Sequence, residues 1–272
     1  MNEKNRNLLV RVISVVLLVP PLILLVLWQK AGGFAIAVHL VSTIALMEFY
    51  QIAVSDISLW KRTAGTALGT LTSITMYWCP KADILVALLL LIILMLSTLQ
   101  LFTFDDIKKA TTSTAIMVFG IIYVPLMLTT IALLKKMPDG TDWVFLVLTV
   151  TWFSDTGAYF MGRAIGRHKL YVTVSPGKTV EGAFGGIVAS FGAAILAKYW
   201  YMPQLTWLHG IAFAVFGSVF AQVGDLVESM VKRSFDVKDS GRIIPGHGGL
   251  LDRIDALLFV SPFFYLYVTY LF

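Results

Sequence analysis

Residues 84–104 read ILVALLLLIILMLSTLQLFTF, 21 consecutive positions without a charge. A helix needs ~20 apolar residues to cross a ~30 Å hydrocarbon core, so this run predicts a membrane-spanning helix. Working outward to the neighbouring charged residues gives eight more such runs. Toward the N-terminus they are 63–80, 31–47 (extendable past Glu48) and 12–29. Toward the C-terminus they are 110–134, 143–162 with Asp155 inside it, 182–197, 205–224 and 256–272. The composition agrees: 58% of the 272 residues are hydrophobic and 14% charged, against roughly 25% charged in a soluble domain. The expected fold is all-α, a polytopic integral membrane helical bundle of about nine transmembrane helices in one membrane-embedded domain, 1–272.

Six of the seven tryptophans (Trp28, Trp60, Trp78, Trp143, Trp200, Trp207) fall at or near the ends of these runs, where an amphipathic ring favours the headgroup layer. The first run exceeds the usual 7–15 residue core of a signal peptide and no A-x-A-like site follows it, so it is expected to stay in the mature protein. Pro20 and Pro21 would kink it. With nine spans, the N-terminus and the loops after spans two, four, six and eight share one side and carry 16 Lys and Arg, while the other side carries five. The positive-inside rule puts the richer side in the cytoplasm and the C-terminus outside. Cys79 is the single cysteine. Disulfide scaffolds and structural zinc are therefore excluded.

Two sizeable polar segments lie on the cytoplasmic side of this scheme. The first opens with Asp155, seven residues before Gly162 and hence ~10 Å inside the span at 1.5 Å per residue. An ionisable group at that depth is a functional candidate, although a buried Asp paired with a cation would look the same. Further on, Ser175-Pro-Gly-Lys178-Thr179-Val-Glu181-Gly182 imitates a P-loop but has Val172 where the first glycine is required, and no strand is expected before it. There remains a lysine in a Pro-Gly turn before a helix, where phosphate oxygens could meet both its ammonium and the helix N-terminus. Gly182, Gly185, Gly186 and Gly192 give the following span small faces suited to close packing. His39 and His209 read as hydrogen-bonded structural residues.

The second segment, 225–255, concentrates eleven charges and His247. Asp225, Glu228 and Lys232 are spaced to share one face of a helix continuing out of span eight. Asp252 and Asp255 sit three apart at the mouth of span nine, where acids also favour a helix start through its dipole. Between them Pro245-Gly-His247-Gly248-Gly249 is a turn whose glycines allow close backbone approach and whose N–H groups could form an anion nest. So many charges, glycines and a histidine together exceed what capping or contact with anionic lipid requires.

The run from Ser229 to Asp255, SMVKRSFDVKDSGRIIPGHGGLLDRID, resembles the full signature of the phosphatidate cytidylyltransferases, also called CDP-diacylglycerol synthases. The segments at Asp155–Arg163 and Ser175–Gly182 resemble that family's other two motifs, in the same order, and the first half resembles it by span pattern alone. The resemblance implies a catalytic half at 143–272, after the motif-poor 1–142. It implies transfer of CMP from CTP to phosphatidate, giving CDP-diacylglycerol and pyrophosphate, with Mg²⁺ and no nucleic-acid partner. A second metal and a homodimer are left open. Carried over by position, Asp225 and Asp252 are the expected metal ligands and Asp255, Glu228 and Asp239 secondary ones. Lys178, Lys232, Arg233, Lys238 and Arg253 would meet phosphates. Glu181, Gly248 and Gly249 would join the substrate site, and Asp155 would line it. His247 either orients a phosphate or braces the turn. A bacterial inner membrane is the expected location.

Two rivals stand beside this reading. A CTP-dependent enzyme acting on an ether lipid or a polyprenol would share most of these residues. A transporter would spread polar residues over several spans near the midplane, usually in an inverted repeat, whereas here they gather in two loops on one side.

Overall fold

The computed structural model describes residues 16, 19–28, 30–55, 57–241, 243–244 and 248–272. They fall into two compact units. The first holds the described parts of Met1–Leu25, Lys30–Ala132 and Asp239–Asp252; the second holds those of Val26–Gln29, Leu133–Lys238 and Arg253–Phe272.

In the first unit, α1 (Ala31–Ala53), α2 (Leu59–Trp78), α3 (Ala82–Thr103) and most of α4 (Ile107–Lys136) follow one another. Helices α1, α2 and α4 approach closely through small residues, the means by which helices associate where apolar burial favours no partner over lipid. A Cβ on Gly120 would lie 2.7 Å from the Tyr50 ring and 2.8 Å from that of Phe49. Tyr50, wholly buried, donates its hydroxyl to the Met117 carbonyl at 2.7 Å. His39 Nδ1 meets Ser73 Oγ at 2.6 Å, and Ser73 Oγ meets Thr129 Oγ1 at 2.6 Å. Helix α4 loosens into a π turn at Ile122–Leu126, because Pro125 has no N–H to continue the ladder. Of the 22 residues of α3 only Ile92 and Leu96 are buried.

The second unit contains α5 (Gly140–Ile165), the strands β1 (Lys169–Tyr171) and β2 (Ser175–Thr179), α6 (Val180–Trp200), α7 (Trp207–Ser234) and α8 (Leu251–Tyr270) from Arg253 onward. Gly182, Gly185 and Gly186 of α6 face α5: added Cβ atoms would lie 2.8 Å from the Ala158 carbonyl, 2.8 Å from that of Gly157 and 3.0 Å from that of Ser154. Thr179 caps α6 by accepting from Gly182 N at 3.1 Å, and Thr206 caps α7 by accepting from His209 N at 3.3 Å. At the far end Phe213 stacks on Phe264 with ring centres 4.5 Å apart, and His209 Nδ1 meets Tyr267 Oη at 3.0 Å.

Most of the described residues are helical, the strands among them form one hairpin, and six of their helices are long and apolar enough to cross a membrane: α1, α3, α4, α5, α6 and α7. Of the other three expected spans, 63–80 and 256–272 correspond to α2 and α8, twenty residues each, which carry Lys61 with Arg62, and Asp252, Arg253 and Asp255. The third, 12–29, is described at 16 and 19–28, where the chain is helical from 19 to 27. The strands are a departure. Lys169 pairs with Thr179 and Tyr171 with Ser175 in antiparallel register, so Pro176-Gly177-Lys178 is strand and the turn lies at 172–174. A two-stranded ribbon tolerates Pro176 because both strands are edges, and Lys169 Nζ donates to the Pro176 carbonyl at 2.8 Å.

Candidate active site

The second unit encloses a cavity of about 490 Å³, within the size range of ligand pockets. Its polar wall is built by Asp155, Tyr159 and Arg163 of α5, Lys178 of β2, and Gln222 and Asp225 of α7. The three α5 residues are spaced four apart and so lie one above another on a single helix face. Arg163 donates to the Tyr159 hydroxyl at 2.9 Å. Lys178 reaches Asp225 at 2.7 Å, with side chains 23% and 39% exposed. Ser229 Oγ, one turn further along α7, donates to Asp225 Oδ1 at 3.4 Å. Gln222 Nε2 donates to the Ala183 carbonyl at 3.1 Å and to Ser218 Oγ at 3.0 Å, which fixes α7 against α6.

Asp155, Asp225 and Asp255 lie within electrostatic reach of one another; Lys178 and Arg253 act on Asp155, and Lys232 on Asp255. The cavity wall thus carries two carboxylates, Asp155 and Asp225, and two cations, Arg163 and Lys178, with Asp255, Arg253 and Lys232 acting on them or on one another. Asp255 Oδ1 also accepts from Ala256 N at 2.8 Å.

Other residues singled out from the sequence do not line the cavity. Glu228 is 1% exposed and ion-pairs with Lys232 at 2.5 Å across one turn of α7. Glu181 accepts from the backbone of Arg167 at 3.1 Å and of His168 at 3.2 Å, and meets His168 Nδ1 at 2.5 Å, so it clamps the entrance of the hairpin to the start of α6. Arg233 Nη1 donates to the Val237 carbonyl at 3.3 Å. Lys238 and Asp239 are exposed. His247 lies outside the described residues.

In the first unit, Asp252 Oδ2 accepts from Ser240 N at 2.9 Å and Gly249 N at 2.8 Å. Gly248 has φ +83°, and a Cβ there would lie 2.7 Å from the same oxygen. The close approach anticipated for the glycine turn is made here to a carboxylate of the chain itself. Tyr159 and Gln222 escaped the sequence reading; fourfold spacing from Asp155 was a signal for the first, and nothing local marked the second.

The sequence model of a family described as "Cytidylyltransferase family" matches residues 9–271. The chain belongs to this family. Among curated cytidylyltransferases, the chain is 40% identical over 182 residues to "Phosphatidate cytidylyltransferase" of Bacillus subtilis, a match covering 66% of this chain and 65% of that one. It is 47% identical over 125 residues to the protein of the same name from Staphylococcus haemolyticus, covering 46% and 48%. For the Staphylococcus aureus protein the identity is 44% over 126 residues, again covering 46% and 48%. The chain thus aligns with about half to two thirds of the length of these cytidylyltransferases.

Among the described residues no three His, Cys, Asp or Glu side chains lie close enough to hold one metal ion between them. A magnesium site in a cytidylyltransferase does not require that many, because Mg²⁺ at phosphates takes one or two carboxylates and fills its shell with substrate oxygens and water. Asp225 and Asp155 are hard oxygen donors of the right kind, at the wall of a cavity that also holds cations for the phosphates.

Proposed function

We propose that this chain transfers CMP from CTP to phosphatidate, forming CDP-diacylglycerol and releasing pyrophosphate. The observation that carries the reading is the Lys178–Asp225 ion pair at the wall of a cavity that Asp155 and Arg163 also line. Relatives named for phosphatidate support the acceptor.

The nucleophile is a phosphate monoester oxygen whose second pKa is about 6, so it is mostly dianionic at neutral pH and needs no strong base. What the chain must supply is position and charge at the α-phosphorus. Lys178 binds and orients triphosphate oxygens, exchanging its contact with Asp225 for them. Arg163, steadied by Tyr159, adds a second cation, and Asp155 shapes the wall. Mg²⁺, when bound, supplies neutralisation of the phosphate oxygens, and Asp225 is the ligand the cavity offers. Asp252 keeps its place as a ligand through the signature alone, with Asp255 and Asp239 secondary. Glu228, held by Lys232, serves α7 instead, and Glu181 holds the hairpin.

The proposal extends to topology: nine spans in a bacterial inner membrane, with 163–181 and 228–249 cytoplasmic, supported by the 16-to-five distribution of Lys and Arg. The activity is tested with purified protein in neutral detergent, CTP labelled at the α-phosphate, Mg²⁺, and phosphatidate or a polyprenol phosphate as acceptor. Label entering a liponucleotide with phosphatidate is expected. Label entering lipid only with the polyprenol acceptor would reassign the substrate.

A further inference from the structure

Glu48 lies on α1 in the first unit and is 2% exposed. Its Oε2 accepts the Leu251 N–H at 2.8 Å and the Ser240 hydroxyl at 3.4 Å. Leu251 is the first residue of α8, where an N–H has no helical carbonyl to meet and negative charge is favoured. Ser240 Oγ in turn accepts from Asp252 N at 3.3 Å, and Asp252 Oδ2 accepts from Ser240 N and Gly249 N. Two carboxylates, one from a distant helix and one from the end of the segment itself, thus clasp both ends of Asp239–Asp252. The backbone comes so near Glu48 that a Cβ on Gly249 would lie 2.6 Å from Oε2 and one on Gly241 2.9 Å from Cδ. Glycine at those two positions makes room for this carboxylate. A neutral acceptor would serve a helix start equally well, and burying a charge is costly unless it is hydrogen-bonded. Oε2 is matched by donors drawn from the signature segment, while Oε1 is buried without a hydrogen-bond partner among the described residues.

We infer that Glu48 is a positioning residue for the reaction: it holds the Asp239–Asp252 segment so that Asp252, Gly248 and Gly249 keep a single arrangement during turnover. The inference rests on the function proposed above. Glu48 contributes no atom to the chemistry; it acts through the Leu251 amide and Ser240. Loss of the clasp therefore slows turnover without weakening the hold on the lipid acceptor.

The test compares wild type, Glu48→Gln and Glu48→Ala as full-length protein in neutral detergent, reading kcat, KM for CTP and for phosphatidate, and amide hydrogen exchange across 239–252. Glu48→Ala is expected to lower kcat at least about tenfold, the effect of 1.36 kcal/mol on a barrier. KM for phosphatidate should stay within about twofold, and Ser240, Gly249 and Leu251 should exchange faster. Glu48→Gln, whose carbonyl oxygen still accepts the Leu251 N–H, should recover part or all of both losses. Turnover within about twofold of wild type in Glu48→Ala, or slowed turnover with unchanged exchange in this segment, would overturn the inference. If Glu48→Ala does not fold, Glu48→Met, which fills the space but offers the Leu251 N–H no oxygen, decides by the same readouts, unchanged values overturning the inference. Wild type that transfers no label would sink the function reading instead, and exchange alone would then decide whether Glu48 holds the segment.

Discussion

Lys178 and Asp225 hold opposite charges 2.7 Å apart, and in the proposed reaction an incoming triphosphate competes with the carboxylate for the ammonium. A lysine in that position is a placed cation rather than a surface charge. Lys178→Met keeps most of the side-chain length and removes the charge, so kcat/KM for CTP should fall by at least about 100-fold, the lower end of what one transition-state contact contributes, in neutral detergent at high salt. A lysine that served only to attract anionic lipid would contribute about 1 kcal/mol, and salt would screen it. Asp252 gives a second residue-scale prediction. Asn would keep an oxygen for the amides of Ser240 and Gly249, so a carboxylate that merely braced the turn could be replaced with turnover near normal. A metal ligand loses its charge in Asp252→Asn, and the expected result is a fall in kcat of about 100-fold or more with the protein still inserted. Near-normal turnover at saturating Mg²⁺ would remove Asp252 from the ligand set.

At the scale of elements, α5 and α6 are held by backbone approach rather than by large side chains. Gly185→Val would drive methyl groups into Met161 and the Gly157 carbonyl, and overpacking of this kind costs about 1–3 kcal/mol. A lower thermal midpoint in detergent is the measurable consequence, and an unchanged midpoint would contradict the described interface. This packing was legible beforehand, since Gly182, Gly185 and Gly186 recur at helical spacing in an uncharged run. The hairpin was not: Lys169-Leu-Tyr-Val-Thr-Val-Ser175-Pro-Gly has no sustained period-two pattern, and Pro-Gly reads locally as a turn. Its register is set by cross-strand pairing and by Glu181, whose partners Arg167 and His168 are contributed by the chain before the hairpin. Glu48 shows the limit most clearly, because Leu251 lies 203 positions along the chain from it and one carboxylate in an apolar run carries no mark of such a partner. Lys178 and Asp225 were each legible as charged residues beside a span, but their mutual contact was not.

For the whole molecule, the distribution of Lys and Arg commits the account to one orientation. In a Cys79→Ser background, a cysteine at Lys238 should resist an impermeant thiol reagent in intact cells, while one at Tyr270 should react. The opposite pattern would invert the topology. Hydrophobic run lengths made the membrane helices readable, since ~20 uncharged residues have few alternatives. They could not reveal how the chain divides into two units or which polar residues meet inside one of them, since contacts between residues far apart in sequence decide both. The central claim is that CMP transfer depends on the cavity walled by Lys178 and Asp225, and it is tested most directly by the rate at which α-labelled CTP yields labelled lipid in wild type and in Asp225→Asn, at saturating Mg²⁺ and phosphatidate. The account predicts rapid labelling by wild type and a rate at least about 100-fold lower for the folded variant; Asp225→Asn labelling lipid at a rate near wild type would contradict it.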